Sequence, residues 1–248
     1  MRVQAAAALL REILANLNLN ISIIIPVLNE ADRITQLVKS LLEIKDLSDE
    51  IIVVDGGSTD GTLDKALSLG VRAISANKSG RAAQMNAGAK ISQGGILWFV
   101  HADSRISSDS LSAIRAAIKS GAYAGFFRLK FYDINLNDRF LKFIERTSHI
   151  RAKNYCLIFG DQALFIRRDI FNDLGGFADL ALMEDWELSR RFVKLNYNKF
   201  ITALDVEIGT SARRYIQHGR FKTWLKMNFI KFLYIIGVDT NILRRIYG

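Results

Sequence analysis

Between residues 20 and 100 the chain repeats one rhythm. A short apolar run is followed by a longer stretch with an apolar residue every three or four positions. "ISIIIPV" (21–27) is apolar at nearly every position and rich in β-branched residues, as a strand covered on both faces should be. In the stretch after it, Ile34, Leu37, Val38, Leu41 and Leu42 fall at i, i+3, i+4, i+7 and i+8, the stripe of an amphipathic helix. "EIIVVD" (50–55) predicts a second buried strand, and "TDGTLDKALSLG" a helix closed by Gly70. "VRAIS" (71–75) predicts a third strand, "GRAAQMNAGAKIS" a helix of small residues, and "ILWFV" (96–100) a fourth strand.

Strand and helix in strict alternation imply βαβ units, and so an α/β fold with a mostly parallel central sheet and helices on both faces. Such sheets bind ligands at the carboxyl ends of their strands, where Asp55, His101 and Asp103 fall. After Asp103 the rhythm changes. "SDSLSAIRAAIKSG" and "RFLKFIERTSHI" have helical period, "AYAGFFRLKFYD" alternates like an antiparallel or edge strand, "ALFIRR" is a short strand and "EDWELSRRFVKL" a helix. No repeat, low-complexity linker or domain break interrupts the 248 residues, and the second half reads as a substrate-side elaboration of one domain. The segment 1–19 is an N-terminal extension, 20–215 the main domain, and 216–248 a basic amphipathic helical segment.

Charge sharpens the view of that last segment. The chain carries a net charge of +9, and from Ser211 onward eight Lys and Arg face a single acid, Asp239, giving seven of those nine charges. Lys222, Lys226 and Lys231 interleaved with Phe221, Trp224, Leu225, Phe229, Ile230, Phe232 and Leu233 suit a helix lying in the headgroup region of an anionic membrane surface. The competing reading is that the same apolar stripe packs on the domain. No run reaches the roughly 18 uncharged apolar residues of a membrane-spanning helix. The start, "MRVQAAAALLREILANLNLN", has a short apolar run broken by Arg11 and Glu12 and lacks a small-residue cleavage site, unlike a signal peptide. One cysteine, Cys156, excludes an intrachain disulfide and fits a reducing, cytoplasmic compartment.

Candidate chemistry sits in six places. In "VVDGGSTDGT", Asp55 can accept from a ribose hydroxyl or a base N–H, while Ser58, Thr59 and Asp60 would equally serve as a helix-capping loop. No G-x-G-x-x-G accompanies this turn, which disfavours a dinucleotide fold. Arg81 starts a helix, a place that welcomes an anion. In "HADS", His101 and Asp103 on an extended strand end would point the same way and suit a hard divalent cation beside a diphosphate; the bland reading makes Asp103 or Ser104 a helix cap. "GDQALF" offers Asp161 and Gln162, and "MEDWELSRR" offers Glu184 and Asp185, either first-turn charges or an acid poised to take a proton. Arg213 and Arg214 in "TSARRY" can hold phosphate or carboxylate.

Taken in order, "PVLNE", "VVDGGSTDGT", "GRAAQMNAG", "HAD" and "ED" resemble the successive motifs of family 2 glycosyltransferases of the GT-A fold, over residues 20–215. "FVHADS", "GDQALF", "MEDWELSRR" and "TSARR" resemble one bacterial branch of that family. The resemblance implies that Pro26, Asn29 and Glu30 meet the nucleotide, that Asp55 binds base or ribose, and that Arg81 lies near the phosphates. It makes Asp103 the last acid of the D-x-D motif and the metal ligand, and Asp185 the catalytic base. The first acid of that motif is His101 here, on the ribose side, which leaves metal binding to Asp103. The usual Q-x-x-R-W is absent, and "SARRY" stands in its place. Asp161, Gln162, Glu184, Arg213 and Arg214 fall to the acceptor or phosphate side.

The activity so implied is inverting transfer from a UDP- or GDP-linked sugar, with Mg2+ or Mn2+, to an acceptor hydroxyl. An acceptor on a lipid carrier would make membrane docking useful. Two rivals stand beside it. A nucleotidyltransferase on a similar fold would release pyrophosphate instead of UDP or GDP. A basic nucleic-acid binder is disfavoured, because the cations alternate with large apolar groups and no nucleic-acid motif is present.

Overall fold

The structure, a computed structural model, describes residues 18–78, 80–133 and 138–247. The expected N-terminal extension therefore lies outside the described residues, save for its last two positions.

β1 (Ile21–Val27) is buried at every position. Its alternate side chains serve opposite faces, as strand geometry requires. Ile23 and Ile25 join one core with Ile34, Leu37 and Leu41 of α1 (Ala31–Ile44), while Ile24 joins the other with Met85 and Ala89 of α3 (Arg81–Ile91). Leu42, expected on the buried stripe of α1, is instead 38% exposed. At 3.6 residues per turn, eight positions carry it about 80° past Ile34, off the buried face.

The next elements are β2 (Glu50–Asp55), α2 (Thr62–Ser68), β3 (Arg72–Ser75) and, after α3, β4 (Ile96–Phe99). β3, β2, β1 and β4 are neighbours in that order, all parallel, as the alternation predicts. α3 lies close on the sheet at Gly88, where a Cβ would stand 2.5 Å from Ile24; this explains the run of small residues in that helix.

The second half completes a seven-stranded sheet, order β3-β2-β1-β4-β6-β5-β7. α4 (Ser110–Lys119) precedes β5 (Ala124–Phe131); α5 (Arg139–Tyr155) leads to β6 (Phe165–Arg167), then α6 (Arg168–Asp173), α7 (Glu184–Lys194) and β7 (Ile201–Thr210). β5 is antiparallel to β6, as its alternation suggests, but it is interior and also pairs parallel to β7. β7 itself left little trace in the sequence. It is the outermost strand, carries Asp205 and Glu207 outward, and shifts register against β5 near Phe126.

Three helices close the chain: α8 (Arg213–His218), α9 (Arg220–Ile235) and α10 (Thr240–Tyr247). The boundary expected at 215 falls inside α8. α9 packs one face on the domain and leaves another exposed. Ile230 is buried with Met183 and Leu243 against the domain, while Phe221, Leu225, Phe229, Phe232, Ile235 and Ile236 form a stripe more than half exposed. The membrane reading, which set Lys222, Lys226 and Lys231 together in the headgroup region, is corrected for two of the three. Lys222 is exposed, but Lys226 donates to the Tyr247 carbonyl (2.9 Å) and Lys231 points into the cleft described next. The helix buries the face that carries Ile230, and Lys231 follows that face inward.

Candidate active site

The carboxyl ends of β1 and β2 reach the same level, with Val27 opposite Asp55. Past them opens a cleft of about 910 Å³, walled on the far side by α5, α8 and α9. Of the residues singled out in the sequence, Pro26, Glu30, Arg81, His101, Asp103, Asp161, Glu184, Asp185, Arg213 and Arg214 line it. Asn29, Asp55 and Gln162 do not line it: Asn29 is exposed on the surface, and Asp55 and Gln162 are buried.

Asn29 and Asp55 organise loops. The Asn29 side chain accepts from the Thr59 N–H (2.9 Å), and its own N–H donates to the Ser58 hydroxyl (2.8 Å). Asp55, 2% exposed, accepts from the N–H groups of Gly57 and Ser58 (2.9 Å each) and from the Ser58 hydroxyl. The N-cap position of α2 is Gly61, without a side-chain cap, and of the capping candidates Asp60 instead ties the loop by accepting from Thr62 and Ala31. Gln84, which the sequence did not single out, ties the two strand ends by donating to the carbonyls of Val27 (2.7 Å) and Val54 (2.8 Å).

His101 and Asp103 do not point the same way along an extended strand. β4 stops at Phe99, and Ser104 N–H closes a turn on the His101 carbonyl (3.0 Å). That turn splays the two side chains. The Nε2–Cε1 edge of the His101 imidazole abuts Gly160, where any Cβ would collide with it, and Nε2 is buried without a hydrogen-bond partner. Burial, then the charge of Arg81, lowers its pKa to about 3, so the ring is neutral. Asp103 lies in the field of Arg33, Arg213 and Arg214, yet burial outweighs them and raises its pKa. The helix-cap reading of Asp103 and Ser104 fails, since α4 begins only at Ser110 behind Asp109.

Arg81 is the first residue of α3, but its guanidinium pairs with Glu184, whose side chain is 2% exposed. Burial opposes the Arg81 charge, and the carboxylates of Glu184 and Asp185 more than restore it. Glu30 pairs with Arg33.

Asp185, in the first turn of α7, is held at both oxygens. Oδ2 accepts from the Gly160 N–H (2.8 Å) and Oδ1 from the Trp186 N–H (2.7 Å). Burial, with the Glu184 charge beside it, pushes its pKa up to about 6 against the pull of Arg81 and the two N–H groups. Asp161 is pushed up by burial as well, and its Oδ1 is buried without a partner. Gln162 accepts from Arg151 (2.9 Å) and so braces that guanidinium from behind. Arg213 and Arg214 follow a turn fixed by Asp133, which accepts from the Ser211 hydroxyl (2.5 Å) and the Ala212 N–H (2.6 Å). Arg214 stacks on Tyr247, 4.2 Å from the ring. Arg151, Tyr215 and Lys231 also line the cleft; Arg151 carries no motif to mark it, Tyr215 closes the "SARRY" stretch without being singled out by it, and Lys231 reads in sequence only as a membrane-side cation.

A parallel sheet that places buried carboxylates at its carboxyl edge fits sugar-nucleotide chemistry, and comparison in sequence names the family. Residues 22–175 match the model of glycosyl transferase family 2. The chain belongs to that family. It is a glycosyltransferase, and its sheet, helices and cleft are those of a GT-A domain. No curated protein matches it in sequence. Among solved structures it resembles glucosyl-3-phosphoglycerate synthase from Mycobacterium tuberculosis, in complex with Mn2+, UDP and glucosyl-3-phosphoglycerate. That match has a TM-score of 0.64 at 18% identity, over 89% of this chain and 83% of that one. It also resembles S. aureus TarS 1-349 in complex with UDP-GlcNAc (TM-score 0.61, 20% identity), over 77% of this chain and 58% of that one.

Proposed function

We propose that this glycosyltransferase moves a sugar from a UDP- or GDP-linked donor to an acceptor hydroxyl in one inverting displacement, with Asp185 as the base. The observation that carries the reading is Asp185 itself: a buried carboxylate on the cleft wall, fixed at both oxygens, with its pKa raised to about 6. A base poised near the working pH transfers protons most efficiently. It takes the acceptor proton as the acceptor oxygen bonds to the anomeric carbon, and the bond from that carbon to the diphosphate breaks on the opposite face. One displacement needs one carboxylate and no covalent intermediate, unlike a retaining glycosidase. Pro26, Glu30 and His101 would border the nucleotide and sugar, Asn29 and Asp55 would hold the loops beneath it, and Arg81 would keep Glu184 neutralised next to the base.

The donor set also fits a divalent cation. Among the described residues no three His, Cys, Asp or Glu side chains converge, and Asp103 on the cleft lining is the carboxylate that would hold the ion. Mg2+ or Mn2+ takes few protein oxygens and completes its shell from phosphates and water. When bound, it would offset charge on the leaving diphosphate. Arg213 and Arg214 would add positive charge on the same side. The relatives in complex with Mn2+ and UDP, or with UDP-GlcNAc, support both donor and cation. Thermal-shift titration with UDP-, GDP- and dTDP-sugars, with and without Mn2+, tests the reading, because a ligand of the native state must raise the melting temperature. One nucleotide sugar should stabilise the protein more with Mn2+, and Asp103→Ala should erase that metal dependence while leaving the fold intact. Unchanged metal dependence in the variant would sink the ligand assignment, and pyrophosphate as the product would favour the nucleotidyltransferase.

The exposed stripe on α9 supports a second statement: the protein rests this helix on the anionic, cytoplasmic face of a membrane and takes an acceptor on a lipid carrier. Among the described residues no helix is long and apolar enough to cross a bilayer. Six large apolar side chains with Lys222 beside them suit the headgroup boundary. Sedimentation with anionic but not neutral vesicles, weakened by salt, is expected. Full-length protein left in the supernatant at low salt ends the idea.

A further inference from the structure

The charges around the cleft divide unevenly. Glu30 is paired with Arg33, and Glu184 with Arg81. On the wall formed by α5 and α9, Arg151 and Lys231 converge on one aromatic ring. The Arg151 guanidinium lies 4.1 Å from the Phe159 centroid and the Lys231 ammonium 5.3 Å from it. Arg151 is braced by neutral acceptors only, the Leu157 carbonyl (3.1 Å) and Gln162 (2.9 Å). Lys231 has a long contact with Asn228 (3.5 Å). Among the described residues neither cation has a carboxylate within ion-pair distance. Asp161, on the same wall, acts on both from farther away.

Two like charges drawn together out of bulk water are costly unless a counter-charge meets them. The cost registers here: burial, then Arg151, lowers the Lys231 pKa to about 8, and burial lowers that of Arg151. Both cations lie in the field of Asp185, on the base's side of the cleft, whereas Asp103 lies in the field of Arg33, Arg213 and Arg214. The position therefore belongs to whatever brings the attacking hydroxyl. A guanidinium fork matches phosphate oxygens in pairs, and an ammonium adds a point charge. We infer that the acceptor carries a phosphate group, and that Arg151 and Lys231 hold it on the cleft wall next to the base. The inference rests on the glycosyltransfer reading of this cleft. Lys231 lies on α9, beyond the residues that match the family, so the C-terminal segment would supply acceptor selection.

The test uses full-length protein saturated with UDP and Mg2+, so that the donor side is filled, and titrates inorganic phosphate by calorimetry. Wild type should bind phosphate. Lys231→Met should weaken this by about tenfold or more, the scale of one charge-assisted hydrogen bond; Lys231→Arg should restore it, and UDP affinity should be the same in all three. No phosphate binding by the UDP-loaded wild type overturns the subsite, as does binding indifferent to Lys231→Met. Failure of UDP, GDP and dTDP alike to bind overturns the donor reading, and this inference with it. Competition then separates the sources of phosphate. Displacement by glycerol 3-phosphate supports a free phosphorylated acceptor. Displacement only by phosphatidic acid in phosphatidylcholine vesicles supports a lipid headgroup. Displacement by neither shows a site closed to phosphate esters and overturns the inference.

Discussion

Asp185 sits among groups that pull its proton in both directions: Glu184 in its own helix, Arg81 from α3, neutral His101 at Gly160, and Arg151 and Lys231 from α5 and α9. Asp185→Asn keeps shape and volume but cannot accept a proton, so turnover should fall by roughly 10²–10⁴-fold, the usual worth of a general base, with donor affinity unchanged. Near-normal turnover would move the role to Glu184 or Asp161. The base works only when deprotonated, so kcat/KM should decline as pH drops through about 6. Glu184→Gln removes the neighbouring negative charge and frees Arg81 to act on Asp185. Both effects favour the carboxylate, so the acid limb of the pH profile should move to lower pH. A limb that stays put or rises would mean that another group sets it.

At the scale of elements, the Arg81–Glu184 pair joins the start of α3 to the start of α7, 103 residues apart in sequence. Removing one member of a buried pair leaves the other charged and desolvated, at a cost of about 3–5 kcal/mol. The Arg81 side chain is 35% exposed, so solvent screening should bring the cost of Arg81→Ala to about 2–3 kcal/mol, at or below the bottom of that range. Urea denaturation measures it, and adding Glu184→Gln should recover part of the loss. Gly160 makes a second joint, its N–H on Asp185 and its bare Cα under His101. Gly160→Ala should therefore lower kcat with little change in melting temperature, because the loop can shift only by moving His101 and the base. Unchanged kcat would mean that the imidazole yields freely.

At the scale of the whole molecule, α9 presents two different faces, and each carries a proposal. Lys222 lies with the exposed stripe, and Lys231 faces the cleft. Charge reversal should separate them. Each cation near anionic lipid is worth about 1 kcal/mol, so Lys222→Glu should weaken vesicle binding by roughly tenfold or more. Lys231→Glu should leave vesicle binding alone. Equal effects of the two substitutions would mean that the helix is not seated on the membrane by its outer face.

Periodicity alone determined the parallel half of the sheet. Buried strands and amphipathic helices differ in repeat, two against 3.6, and both repeats depend only on near neighbours in the chain. Motif order likewise determined the family, and most of the marked residues do line one cleft, because parallel strands bring their ends to one edge. Tertiary structure decided the rest. The turn after β4, fixed by backbone hydrogen bonding, sent His101 and Asp103 apart. β7 carries a weak, charged pattern, since an edge strand needs only one neighbour to cover its backbone. α9 has apolar residues nearly all round, so its own period could not say which side would be buried; the contact of Ile230 with Met183 and Leu243 settled that. Arg151 and Lys231 meet across 80 residues of chain, at no motif and at no period. Their meeting depends on how α5 and α9 pack around Phe159, and that packing is a property of the folded whole.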